Sequence, residues 1–253
     1  MIDVKLLSGA LGAEIKGIDL CRPCKNLQEK LGKDQVFLDD EERLRHSHGQ
    51  LSVNEVYRVL YGEALDRLVD MVLYPESDEQ VQFIISLATE EDVCLIPYGG
   101  GTNVSGALSL HAKETRMIVS IDMCRMNKIL SIDKENLVAE VEAGIRGGDL
   151  ERELREKGFT SGHDPDSLEF STLGGWISTN ASGMKKNRYG NIEDIVIDAT
   201  LITPTGKIET SCFTPRNSVG VQPRGLLFGS EGNFGVITKA VLKVHRLPEV
   251  KKF

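Results

Sequence analysis

Pro97-Tyr98-Gly99-Gly100-Gly101-Thr102-Asn103 sets glycines side by side at the end of a short apolar run, Val93 to Pro97, that has the length of a buried strand. Stripped of side chains, such a turn lets successive backbone N–H groups approach an anion such as a pyrophosphate. A plain sharp turn needs the same residues, so the stretch alone leaves both readings open. Spacing excludes two familiar phosphate loops. Val104 stands where a G-x-G-x-x-G run from Gly99 requires glycine, and Ala107, not Lys, follows Gly106.

Upstream of this turn, Ser77 and Gln80 form a capping-box signature ahead of the apolar stripe Val81, Ile84, Ile85 and Ala88, which predicts a helix. Before Pro75, the residues Val56, Val59, Leu60, Leu65, Leu68, Val69 and Val72 recur at helical spacing across Gly62, predicting a broken helix over 54–72. Downstream, strands are expected from Met117 to Ile121 and from Leu137 to Glu142, then a helix from Asp149 to Lys157 closed by Gly158. Beyond residue 190 the signals become antiparallel. They are Ile195 to Thr203, a Pro204-Thr205-Gly206 turn, a returning strand near Ile208 and a long alternating strand from Val236 to His245. The expectation is an α+β chain of two lobes, 73–145 and 146–250, behind a helical lead-in over 36–72.

Charge and composition narrow the function. A formal net charge of -8, from 30 basic and 38 acidic side chains, argues against nucleic acid as a partner, because phosphate neutralisation supplies most of that affinity. The 25 glycines in 253 residues are about 10% against the usual ~7%, so many backbone positions are tight or closely approached. Cys21, Cys24, Cys94, Cys124 and Cys212 are too scattered for a disulfide framework, which suits a reducing compartment. No second Cys/His pair completes a zinc site with Cys21 and Cys24, and no metal is expected. No apolar run reaches the ~18 residues of a membrane span, and neither a secretory signal nor a peroxisomal C-terminal tripeptide is read. A soluble protein is expected.

Further segments share the character of the first. Gly162-His163-Asp164-Pro165-Asp166-Ser167-Leu168-Glu169-Phe170-Ser171-Thr172-Leu173-Gly174-Gly175-Trp176 offers amides and hydroxyls to a polar cofactor around Leu168 and Phe170, which are expected to stay packed. Ser178-Thr179-Asn180-Ala181-Ser182-Gly183 permits close backbone approach, to a ligand or to a neighbouring helix. Gly229-Ser230-Glu231-Gly232-Asn233-Phe234-Gly235-Val236-Ile237 is a glycine-punctuated turn into the long strand. His163 is the candidate catalytic, proton-handling group, although flanking Asp164 and Asp166 also suit a hydrogen-bonded structural histidine. Lys185, Lys186 and Arg188 fit a phosphate or a solvated face, and His46 with His48 has no further ligand residues around it.

In this order and spacing the segments resemble the FAD-binding domain of the vanillyl-alcohol-oxidase superfamily, from about residue 40 to the end. Within it, the run from His163 to Asp194, with Ala181-Ser182-Gly183-Met184-Lys185-Lys186-Asn187-Arg188-Tyr189-Gly190-Asn191, resembles the alkyldihydroxyacetonephosphate synthase (alkylglycerone-phosphate synthase) family in particular. FAD-linked oxidoreductases of the D-lactate or glycolate dehydrogenase type keep only its Gly and Tyr-Gly skeleton, and they are the alternative. The resemblance implies a two-lobed FAD-binding domain of the PCMH type. It implies contacts from Pro97 to Asn103 and from Asp166 to Thr172 around pyrophosphate and flavin, Ser178 to Ala181 nearby, and Glu231 to Ile237 completing the site. With Thr102 and Asn103 where some members carry a flavin-linking His, noncovalent binding is implied.

The reaction implied by the resemblance is ether lipid biosynthesis, in which the acyl chain of acyl-dihydroxyacetone phosphate is exchanged for a long-chain fatty alcohol without net oxidation. A peroxisomal location is implied with it, a cytoplasmic one being the alternative, and room is left for membrane-surface association and a homodimer. The family's cap and C-terminal catalytic region find no counterpart here, so an FAD-binding portion or an inactive FAD-binding fragment is expected. Residues 1–23 resemble the start of taurine-dioxygenase-family proteins through the alternation from Leu11 to Leu20. That family's His-x-Asp iron motif is absent, and 1–35 reads as an atypical segment without iron chemistry.

Overall fold

The computed structural model describes residues 3–6, 13–16, 27–62, 65–209, 218, 220 and 223–247. The chain divides into two compact units, Met1–Met123 and Cys124–Phe253. Cys21, Cys24, Cys212 and most of the dioxygenase-like stretch lie outside the described residues.

In the first unit β1 (Asp3–Leu6) and β2 (Ala13–Lys16) form an antiparallel hairpin. There follow β3 (Val36–Phe37), α1 (Asp40–Arg45), α2 (Val53–Leu60), β4 (Met71–Leu73), α3 (Asp78–Glu90), β5 (Cys94–Tyr98) and β6 (Ile118–Asp122). The sheet runs β3-β4-β6-β5, with β4 and β5 parallel to β6 and β3 antiparallel at its edge. Parallel strands need covering, and α3 supplies it by burying Val81, Ile84, Ile85 and Ala88. Its start is capped as expected, the Ser77 hydroxyl accepting from the Gln80 N–H at 3.3 Å.

The broken helix expected over 54–72 is shorter. The helix ends at Leu60 and Gly62 follows in the left-handed region, while Leu65, Leu68, Val69 and Val72 are buried in irregular chain and in β4. What overrides the periodicity is a buried anchor. The Asp70 carboxylate accepts from the Arg67 guanidinium at 2.9 Å and from the Ile118 N–H at 2.8 Å, fixing the chain in extended form beside β6.

The second unit holds β7 (Ile129–Asp133), β8 (Val138–Glu142), α4 (Gly147–Glu156), β9 (Phe159–Thr160), α5 (Leu173–Ser178), α6 (Lys186–Tyr189), α7 (Ile192–Ile195), β10 (Val196–Thr203), β11 (Gly206–Ile208), β12 (Val236–Lys243) and β13 (His245–Arg246). Its antiparallel sheet runs β11-β10-β12-β8-β7. Helices α4 and α5 cover it through Leu150, Leu154, Leu173, Trp176 and Ile177, in one core with Val141, Val196 and Leu242. The division expected near residue 145 falls instead after Met123, because β8 pairs with β12 from Lys239↔Glu142 to Lys243↔Val138 and carries the β7–β8 hairpin into this unit. The long strand expected to His245 stops at Lys243, and His245 and Arg246 pair with β9.

Candidate cofactor site

The glycine turn leaves the C-terminal end of β5. Among the described residues, none accepts a hydrogen bond from the backbone N–H of Gly99, Gly100, Gly101, Thr102 or Asn103. A row of unspent amides at a strand end is what an anionic diphosphate requires. The turn is nevertheless firmly built. Gly101 has φ +64°, a Cβ there would meet the Tyr98 hydroxyl, its carbonyl accepts from the Gln50 N–H at 2.7 Å, and the Asn103 carboxamide oxygen accepts from the Ala107 N–H at 3.0 Å. Tyr98 beneath it is buried, and burial with Asp122 nearby pushes its phenol up to about 12, so it stays a neutral hydroxyl.

In the second unit the remaining predicted segments are brought together. Gly147 and Gly148, at the start of α4, donate to the Ser171 and Leu168 carbonyls, both at 2.9 Å. A Cβ at Gly147 would collide with Trp176 and Leu168. The Trp176 indole N–H donates to the Ser171 hydroxyl at 2.7 Å, which donates to the Ser167 carbonyl at 2.8 Å, and the Thr172 hydroxyl caps α5 by accepting from the Gly175 N–H at 3.3 Å. Ser171 and Thr172 therefore scaffold, while the backbone N–H groups of Asp166, Ser167, Leu168 and Glu169 find no acceptor among the described residues. Phe170, expected to pack, is 58% exposed, because the turn at Ser167 points it away from the core that holds Leu168.

The end of α5 meets the last segment directly. Gly229 N–H donates to the Ile177 carbonyl at 3.2 Å and Glu231 N–H to the Ser178 carbonyl at 3.0 Å, so Ser178 to Ala181 and Glu231 to Gly235 lie side by side. Asn180 and Glu231 hold left-handed backbone, at φ +51° and +45°, and Gly235 presses so close to the Ile202 carbonyl that no Cβ fits. Thr179, Asn180, Glu231, Asn233 and Phe234 are exposed, whereas the Val236 and Ile237 side chains lie in the core and offer only backbone.

His163 sits below this surface, 2% exposed, its ring 4.7 Å from that of Trp176. Neither ring nitrogen has a hydrogen-bond partner among the described residues. Burial lowers its pKa to about 4 despite Asp164, Glu151 and Glu193 nearby, so at neutral pH the imidazole is uncharged. Glu151 is occupied otherwise, accepting from the Thr160 hydroxyl at 2.7 Å and the Ser161 N–H at 2.9 Å. Lys185 pairs with Asp164 at 2.8 Å and Arg188 lies over the Tyr189 ring, which leaves Lys186 to the surface. The histidine pair is likewise engaged: His46 with Asp122 at 2.9 Å, His48 with the Gly49 carbonyl at 3.0 Å.

Amide-lined turns of this kind fit the diphosphate of a dinucleotide, and the FAD binding domain family matches residues 69–211, spanning the glycine turn, His163 and α5 to α7. The chain belongs to the FAD-binding domain family. FAD is its cofactor, and the α+β fold is of the PCMH type. The chain is 42% identical, over its whole length, to the alkyldihydroxyacetonephosphate synthase of Caenorhabditis elegans, of which it covers 42%. A D-lactate dehydrogenase of Anaerostipes hadrus is 31% identical over 87% of the chain, which covers 44% of that protein. A solved triclinic crystal structure of alkyldihydroxyacetonephosphate synthase superposes with TM-score 0.87 at 36% identity, covering 98% of this chain and 46% of the other. The chain thus spans less than half the length of these relatives.

Proposed function

We propose that this chain is the FAD-binding portion of an alkylglycerone-phosphate synthase, acting in ether lipid biosynthesis. The substrates are acyl-dihydroxyacetone phosphate and a long-chain fatty alcohol, and the product keeps the phosphate while an ether replaces the ester, whose acyl chain leaves as the free fatty acid. The observation that carries this reading is the stretch from His163 to Asp194, built around a buried, uncharged imidazole, in a chain 42% identical end to end to a synthase and 31% identical to a dehydrogenase. When bound, flavin would supply an electron-accepting ring, so that the exchange would need no outside oxidant. The chain's residues do the holding. Within the first unit, Gly99 to Asn103 would offer amides to a diphosphate; within the second, Asp166 to Glu169 would offer amides, Ser178 to Ala181 and Glu231 to Gly235 would face the flavin, and Val236 and Ile237 would contribute backbone alone. His163, neutral and without a described partner, is the group available to hold or pass a proton. The flavin is held noncovalently, with Thr102 and Asn103 in the glycine turn. The compartment is peroxisomal by kinship, and contact with a membrane surface or a second copy of the chain is consistent with an apolar alcohol as substrate.

The deciding experiment titrates the purified chain with FAD, then offers labelled hexadecanol with acyl-dihydroxyacetone phosphate in one assay and D-lactate or glycolate with a reducible dye in another. Stoichiometric flavin that is released on denaturation, with no dye reduction, is the expected result. Dye reduction driven by a 2-hydroxy acid would move the chain to the oxidoreductases, and a chain that ignores FAD would end the reading.

A further inference from the structure

The family match begins at residue 69, so the segment before it has no part in that assignment. Yet the chain between α1 and α2, His46 to Gln50, runs along the glycine turn. Gln50 donates its N–H to the Gly101 carbonyl at 2.7 Å, and its side chain hydrogen-bonds Tyr98. Gly49 lies so close to Asn103 that a Cβ would stand 3.0 Å from the Asn103 carbonyl. His46, at the C-cap of α1, is wholly buried, its ring 4.3 Å from that of Tyr98. Nδ1 faces the Glu42 carbonyl at 2.8 Å and Nε2 the Asp122 carboxylate at 2.9 Å. A carbonyl can only accept, so Nδ1 donates to it, while Nε2 is held at hydrogen-bond distance by the carboxylate. With both edges committed, the ring cannot turn. Tyr98 and Asp122 are the last residues of β5 and β6 and are partners in register, so the imidazole ties both strand ends where the turn begins.

We propose that His46 to Gln50 forms the floor of the cofactor site, with His46 as a positioning residue that holds the glycine turn in its diphosphate-ready shape. The proposal rests on the FAD-binding reading above. A turn left loose would present the same amides but would have to be ordered by the ligand, at a cost in affinity.

The test uses the 253-residue chain, with FAD binding followed by flavin fluorescence and hydrogen exchange read at the Gln50 amide, which is protected while the Gly101 carbonyl is held. In His46→Gln, the expectation is an FAD affinity about tenfold weaker, the size of one lost buried hydrogen bond. The Gln50 amide should exchange faster while β5 and β6 stay protected. Gly49→Ala leaves the buried pair intact and pushes Asn103, so it should weaken FAD without changing exchange in the strands. Unchanged FAD affinity in both variants overturns the proposal, as does exchange that rises in the strands and at Gln50 together. A wild-type chain that takes up no FAD removes the cofactor reading and this inference with it.

Discussion

In the first unit Gly99, Gly100 and Gly101 leave amides without described acceptors at a strand end, Gly101 while also making room for the Tyr98 hydroxyl, whereas in the second Gly147, Gly162, Gly174 and Gly235 lack a side chain because something else fills the space. Trp176 and Leu168 press on Gly147, the Tyr189 ring on Gly162, Ala143 on Gly174 and the Ile202 carbonyl on Gly235. One composition thus serves two ends, exposing backbone to a ligand in one unit and bringing elements into contact in the other. A substitution in the glycine turn should therefore read out chiefly as lost affinity, and one at Gly147, Gly162 or Gly174 as lost stability.

The largest effect should come from Gly162→Ala. The site has φ +76° and the new methyl would enter the Tyr189 ring, so left-handed strain and overpacking add. Urea denaturation should show a loss of about 2–5 kcal/mol from these two terms, with FAD binding by the folded fraction retained. A variant of native stability that binds no FAD would put this glycine with the ligand-facing class.

Nearly as large is the effect of acid on His163. Its folded pKa, about 4, lies below the ordinary unfolded value, so between the two only the unfolded chain takes up the proton. The stabilisation is complete above the unfolded pKa and is lost as pH falls toward 4, by up to about 3 kcal/mol. Stability measured by denaturant at stepped pH should fall more steeply in the wild type than in His163→Phe over this window. Equal slopes would mean the imidazole is not desolvated as the structure has it.

The same contrast explains how much could be read from the chain. In the first unit the cues were local: the Ser77 cap, the stripe from Val81 to Ala88 and the strand into the glycine turn all stand where expected. In the second unit the strands were legible, but α5, α6 and α7 are only four to six residues long, too short for a period of 3.6 to show. Asn191 and Asp194, whose carboxylate accepts from the Asn191 N–H at 3.0 Å at the start of α7, were the available signal. The site segments were visible as bare backbone, but not that Ser171 and Thr172 spend their hydroxyls on Trp176 and Gly175. The cluster of His46, Tyr98 and Asp122 could not be read either, since its members are brought together by a parallel crossover that no spacing encodes.

A smaller effect is expected at Gly101→Ala, with the opposite signature from Gly162→Ala. The methyl meets the Tyr98 hydroxyl and the backbone at φ +64° resists it, so the turn shifts while the strands remain. FAD affinity should drop about tenfold, or ~1.4 kcal/mol, with a stability change of no more than about 1–2 kcal/mol from left-handed strain. Wild-type affinity in this variant would show that the diphosphate does not touch the turn.

The smallest change serves as the control that keeps the two glycine variants interpretable. Ser77→Ala removes the hydroxyl that accepts from the Gln80 N–H at the start of α3, on the same unit as the glycine turn but within a different element. Losing an N-cap costs about 1 kcal/mol, a loss of stability like that at Gly101 but without any change in the turn's own backbone. FAD affinity should therefore match the wild type at a temperature where both chains are fully folded. If Ser77→Ala weakened FAD as Gly101→Ala does, affinity would be following the stability of the whole unit, and the separation of ligand-facing from packing glycines would fail.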